Sequence, residues 1–124
     1  MITKQKPSKT FEDLIVWQKS RELTSIIYKI TEEYPGMENY GLIPQMRRAA
    51  ISVSSNIAEG FGRLQSKDKE HYYVMAAGSL TELLSQLIIS RDLGYISYEK
   101  FKATKSKLVE VQKLLAALLS AHRG

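Results

Sequence analysis

The stretch E38-N-Y-G-L-I-P-Q-M-R-R-A-A-I-S-V-S-S-N-I-A-E-G-F-G-R63 decides the fold. Leu42, Met46, Ala49, Ala50, Val53 and Ile57 recur at steps of three and four, which marks one buried line of a helix. Arg48, Ser52, Ser55 and Glu59 fall on a second line on the opposite side. A merely solvated face would carry Lys, Glu and Gln, which favour helix and water alike. Small Ser residues between one Arg and one Glu instead suit a surface that packs against something. A helix needed on both sides points to an assembly.

Outward from this segment, three more helices follow from the same periodicity. The first opens at Thr10, with Asp13 three residues on as in a capping box, and runs to about Tyr34, before Pro35-Gly36. Its buried line is Val16, Leu23, Ile27, Ile30 and Tyr34, with Trp17 beside it. The second spans about Gly41 to Gly60, with Pro44 tolerated in its first turn and Gly60 and Gly62 as stops. The third starts after Ser66, read as its cap, and ends near Gly94, with a seam of Tyr72, Ala76, Ser79, Leu80, Leu83 and Leu87. The fourth begins after Ser97; Phe101, Thr104, Leu108, Val111, Leu115 and Leu118 alternate steps of three and four as an a/d seam does. No strand pair, repeat or low-complexity tract is visible. The fold class is therefore all-α, an antiparallel up-down-up-down four-helix bundle over residues 11–121, preceded by a flexible basic tail at 1–10.

At 124 residues, 44% hydrophobic and 25% charged, the chain has the composition of one globular domain with a real core. It has no cysteine, which excludes disulfides and thiolate metal sites. No apolar run reaches the eighteen or so residues of a membrane span, and MITKQKPSKT lacks the apolar centre of a signal peptide, so the expected compartment is the cytoplasm, with no membrane partner. The net charge of +5 is end-loaded: residues 1–10 carry +3, residues 97–124 carry +4, and the middle carries −2. Basic ends suit an anionic partner such as RNA or DNA.

FEDLIVWQKS (11–20), ENYGLIPQMRRAAISVSSNIAEG (38–60), AAGSLTELLSQL (76–87) and LGYI (93–96), in this order, resemble the four-helix bundle proteins of bacterial 23S rRNA intervening sequences. The RRAxxSxxxNIAEG core, Arg47 to Gly60, is the most specific of the motifs. Many family members have Pro shortly after the Ser of that core, where this chain has Val53-Ser54, a change that leaves the helix straighter. The resemblance implies an antiparallel bundle that closes into a ring-like homo-oligomer, most often a pentamer. It also implies kinship with the accessory protein of diversity-generating retroelements, a basic oligomer that binds nucleic acid and a reverse transcriptase.

Arg47-Arg48 is the one adjacent Arg pair; the planar fork of Arg suits phosphate, but a structural or intersubunit carboxylate suits it better in a motif that also carries Glu59. Asn56, at the edge of the buried line, is read as fixing helix register. Asp68 and His71 have half of a di-metal spacing, yet the other half is missing, so no metal or cofactor is expected. Glu59 and Glu82 could be paired carboxylates, but no Cys, phosphate loop or Ser-His-carboxylate set accompanies them, and no catalytic residue is assigned.

On the fourth helix, Lys100, Lys105 and Lys107 flank the seam and lay their stems over the core edge, whereas Lys102 and Lys113 point outward. The nucleic-acid candidates are thus Lys4, Lys6, Lys9, Lys102 and Lys113. The tyrosines do not interleave with basic residues as a base-stacking platform requires, so backbone attraction is expected without base readout. Gly78 costs about 1 kcal/mol relative to Ala in a helix and points about 160° from Ala76 at 100° per residue. Arg48, Ser52, Ser55, Glu59 and Gly78 are accordingly the oligomer-interface candidates. Two roles remain open: a homo-oligomeric scaffold that binds nucleic acid, and an adaptor for a protein encoded nearby.

Overall fold

The computed structural model describes residues 7–124. Four helices form the chain: α1 (Ile15–Thr31), α2 (Leu42–Gly62), α3 (Ser66–Asp92) and α4 (Tyr98–Arg123), with short 3-10 turns at Phe11–Asp13 and Gly36–Glu38. The expected single helix from Thr10 to Tyr34 is broken at Leu14, whose backbone is extended, and it ends three residues early. The capping signal at Thr10 is genuine, since the Asp13 carboxylate accepts the backbone N–H groups of Lys9 (2.9 Å) and Thr10 (3.1 Å). It starts a separate turn, which lays Phe11 edge-on against Trp17 at 4.9 Å between centroids.

Each later helix end has an identifiable cause. The Glu38 carboxylate accepts the N–H of Leu42 at 3.1 Å and so caps α2, where Gly41 has no side chain to do it. Gly60 was expected to stop α2 but lies within it and is buried; a Cβ there would come within 2.7 Å of the Tyr73 ring. Close helix packing, not termination, is what this glycine serves. Ser66 was expected to cap α3 but is its first helical residue, and its hydroxyl meets Nε2 of His122 at 2.9 Å. Gly94, at φ +76°, closes α3 in a Schellman motif: its N–H reaches Arg91 O at 3.0 Å and the Tyr95 N–H reaches Ser90 O at 2.9 Å. Ser97 caps α4 by accepting the N–H of Lys100 at 3.2 Å.

The helices are antiparallel to both neighbours. Thr31 and Ser20 of α1 bond Arg47 and Ser54 of α2; Met46 and Ser52 of α2 meet Ser90 and Ser79 of α3. Glu70 and Arg91 of α3 meet Arg123 and Phe101 of α4, and Glu33 and Glu22 of α1 meet Lys100 and Lys107 of α4. In every pair the numbering rises on one helix as it falls on the other, which gives the cyclic order α1-α2-α3-α4. The inner seam of α4 is buried from Phe101 to Leu115, with Leu118 half-buried at the end, and the α1 line is buried throughout. Two seam positions shift by one residue: Ile43 is buried where Leu42 was expected, and Tyr73 where Tyr72 was expected.

Candidate interaction surfaces

α3 has a second face. Between residues 71 and 90 its one Asp, Glu, Lys or Arg is Glu82. Tyr73, Ala76, Leu80, Leu83 and Leu87 fill the core, while Val74 (46% exposed), Met75 (44%) and Ile89 (46%) face outward. Gly78, Thr81 and Ser85 lie among them, all exposed. The outer positions 74, 78, 81, 85 and 89 again step by three and four, as a helix-packing seam does. By length and composition alone α3 is apolar enough to cross a membrane, contrary to the expectation that no segment would be. The reason is this outer face, since one side of α3 is already packed into the bundle.

Gly78 has no explanation among the described residues. A Cβ at that position would meet nothing within 4 Å. The helix thus carries a residue costing about 1 kcal/mol that its own bundle does not require.

The α2 candidates divide. Arg48, Ser55 and Glu59 are exposed, as is Ile51, which the sequence reading did not single out. Ser52 is half-buried, and its hydroxyl lies 2.9 Å from that of Ser79 in α3, so it belongs to the inside of the bundle, not to the outer line. Asn56 acts through it, donating to Ser52 O (2.8 Å) and Oγ (3.0 Å). Glu59 sits 3.7 Å from Arg63. Arg47, not Arg48, is the structural member of the pair. It donates to Thr31 Oγ1 (3.0 Å) and Tyr28 O (3.2 Å), with its guanidinium 4.5 Å from the Tyr28 ring centroid.

The basic residues also separate by environment. Lys100 is 2.6 Å from Glu33, and Lys107 bridges Glu22 (2.5 Å) and Glu110 (3.3 Å). The hydrogen bond from Lys107 holds the Glu22 carboxyl below its ordinary pKa, and the same bond raises that of Lys107. These charges are neutralised within the bundle. Lys102, Lys105 and Lys113 have no carboxylate within ion-pair distance among the described residues. With Arg91 they line one shallow cleft of about 770 Å³ along the outer side of α4. Lys105, expected to lie over the core edge, joins this strip and leans toward Phe101, 6.0 Å from its centroid. Lys9 lies apart, in a cleft with Leu14, Ile15 and Leu118; Lys4, Lys6 and the rest of the tail before Pro7 lie outside the described residues.

Tyr98 departs from the expectation that the tyrosines are not interleaved with basic residues as a stacking platform needs. Tyr98, 65% exposed, opens α4 one turn before Lys102, whose ammonium is 5.3 Å from its ring centroid. Asp68 and His71 are both exposed, and no three His, Asp or Glu side chains gather among the described residues. Glu59 and Glu82 make separate contacts, with Arg63 and with Gln86 Nε2 at 3.3 Å.

The sequence profile described as 23S rRNA-intervening sequence protein matches residues 12–117. Among solved structures, the fold is similar to that of a protein of unknown function from the S23 ribosomal protein family of Bacteroides thetaiotaomicron. The TM-score is 0.76 and the identity 22%, over 85% of this chain and 98% of that one. At that identity the likeness speaks for the fold alone. No curated protein matches the chain.

Proposed function

Because the chain belongs to the 23S rRNA-intervening sequence protein family, we propose that it is a non-enzymatic cytoplasmic scaffold that self-associates and binds nucleic-acid backbone irrespective of sequence. The observation that carries the reading is the outer face of α3, apolar and small-residued, with Gly78 open to the outside. Small residues let a second helix approach closely, and a head-to-tail patch of this kind closes into a ring when its rotation permits. Arg48 and Glu59 on α2 would border that contact, whereas Ser55 lines a groove with Trp17 and Arg21 of α1, and five copies is the number the family resemblance implies. Light scattering of the intact protein tests the assembly.

The nucleic-acid part draws on the α4 strip. Three uncompensated Lys per copy favour a phosphate backbone, with log affinity falling against log salt at a slope of about −2 per copy for a single strand. A labelled RNA titrated at low and moderate salt is expected to lose affinity steeply, and Lys102→Gln with Lys113→Gln should weaken binding further. The rival role, an adaptor for a protein encoded nearby, is favoured by the position of Lys9 away from the strip. Absence of RNA binding at low salt would decide for the adaptor.

A further inference from the structure

We propose that the α4 strip selects single-stranded over double-stranded nucleic acid, with a base stacked on Tyr98 and the backbone following Lys102, Lys105 and Lys113. The proposal rests on the nucleic-acid reading above and adds the form of strand bound. Five of the seven tyrosines have roles inside the chain. Tyr34 and Tyr73 are buried, and Tyr28 lies under Arg47. Tyr72 accepts from Arg63 at 2.7 Å, and Tyr95 donates to Glu38 at 2.8 Å. Tyr40 and Tyr98 have none of these commitments, and among the described residues Tyr98 alone of the two has a cation against its ring.

Position matters as much as exposure. Residues 98, 102, 105, 109 and 113 step by four, three, four and four, so Tyr98 and the three free Lys share one side of α4. From Lys102 to Lys113 the helix rises about 16 Å at 1.5 Å per residue, a run of a few nucleotides. Of the acids beside this strip, Glu110 is 3.3 Å from Lys107, and Glu99, next to Tyr98, is exposed and forms no ion pair among the described residues. Asp92, at the Tyr98 end, is paired with Arg91 at 3.3 Å.

An aromatic ring at one end of a cationic track is how sequence-tolerant single-strand binding works, because every base presents a π-face. In a duplex both faces of each base are covered by its neighbours, so a duplex can use the Lys residues but not Tyr98.

Fluorescence anisotropy on the intact protein tests this, using labelled oligouridylate of about twelve nucleotides and an RNA duplex of the same length at low salt. The single strand should bind more tightly. Tyr98→Ala should weaken it by about 5- to 150-fold, the range for losing one stacked base, and leave the duplex unchanged. Tyr98→Phe should keep wild-type affinity, because stacking needs the ring and not the hydroxyl. Unchanged helical circular dichroism would show that the exposed substitution leaves the fold intact. Equal affinity for the two probes, with Tyr98→Ala silent and Lys102→Gln weakening both, would overturn the selection for single strands while leaving backbone binding in place. Failure of both probes to bind would overturn the nucleic-acid reading and this proposal with it.

Discussion

Gly60 of α2 lies against the ring of Tyr73 of α3: a Cβ at Gly60 would sit 2.7 Å from Cε1 and 2.8 Å from Cδ1, with the Tyr72 Cβ at 3.1 Å. Tyr73 is buried and its ring has little room to swing. Alanine at residue 60 gains about 1 kcal/mol of helix propensity, but overpacking a filled site costs about 1–3 kcal/mol. Gly60→Ala should therefore destabilise by up to about 2 kcal/mol. Gly62→Ala, two residues on, meets nothing within 4 Å and should be neutral or stabilising by up to about 1 kcal/mol. Urea denaturation of the two variants should give opposite signs; a gain at both would show that the helix contact is looser than described.

Arg47 joins the last turn of α1 to the first turns of α2 through Thr31 Oγ1 and Tyr28 O. Hydrogen bonds from a charged donor contribute about 1.5–3 kcal/mol, and a half-exposed site falls at the lower end. Arg47→Ala should lower stability by about 1–2 kcal/mol. Arg47→Lys should recover little of it, because an ammonium has no planar fork to reach both oxygens. Full rescue by Lys would mean that charge alone matters there.

The Glu22–Lys107 bridge joins α1 to α4 and should shape stability against pH at both ends. The Glu22 pKa is lowered, so its contribution is present above the ordinary carboxylate range and is lost as pH falls through the folded value. The Lys107 pKa is raised, so its contribution is present below the ordinary Lys value and is lost as pH rises through the folded one. Thermal midpoints of wild type and Lys107→Met should differ most between these limits and converge in acid. The effect should be small, since Glu22 is half-exposed. A difference constant at every pH would assign Lys107 a packing role only.

The regular part of the fold was legible because core seams repeat. Phe101 to Leu115 step without a slip, and all are buried. Errors arose where local pattern is degenerate or tertiary contact decides. Leu42-Ile43 and Tyr72-Tyr73 are adjacent apolar pairs, and periodicity cannot say which member turns inward. Gly60 has the local mark of a stop, and only its distance from Tyr73 reveals the other use. For the surfaces, single charges can be read from sequence but their pairing cannot: Lys100 and Lys107 find Glu33 and Glu22 more than sixty residues away, while Lys105 finds none among the described residues. The outer line of α3 did leave a sequence signal, a twenty-residue stretch with one Glu, which a search for a single seam passes over.

The most direct test is the mass in solution. If the outer face of α3 packs against another copy, light scattering should give a mass several times 14.1 kDa, with five copies the expected number. Gly78→Ala should leave that mass unchanged or reduce it modestly. Gly78→Arg should yield single copies with wild-type helical circular dichroism, because a Cβ there meets nothing within 4 Å among the described residues. A wild-type monomer at micromolar concentration would contradict the account.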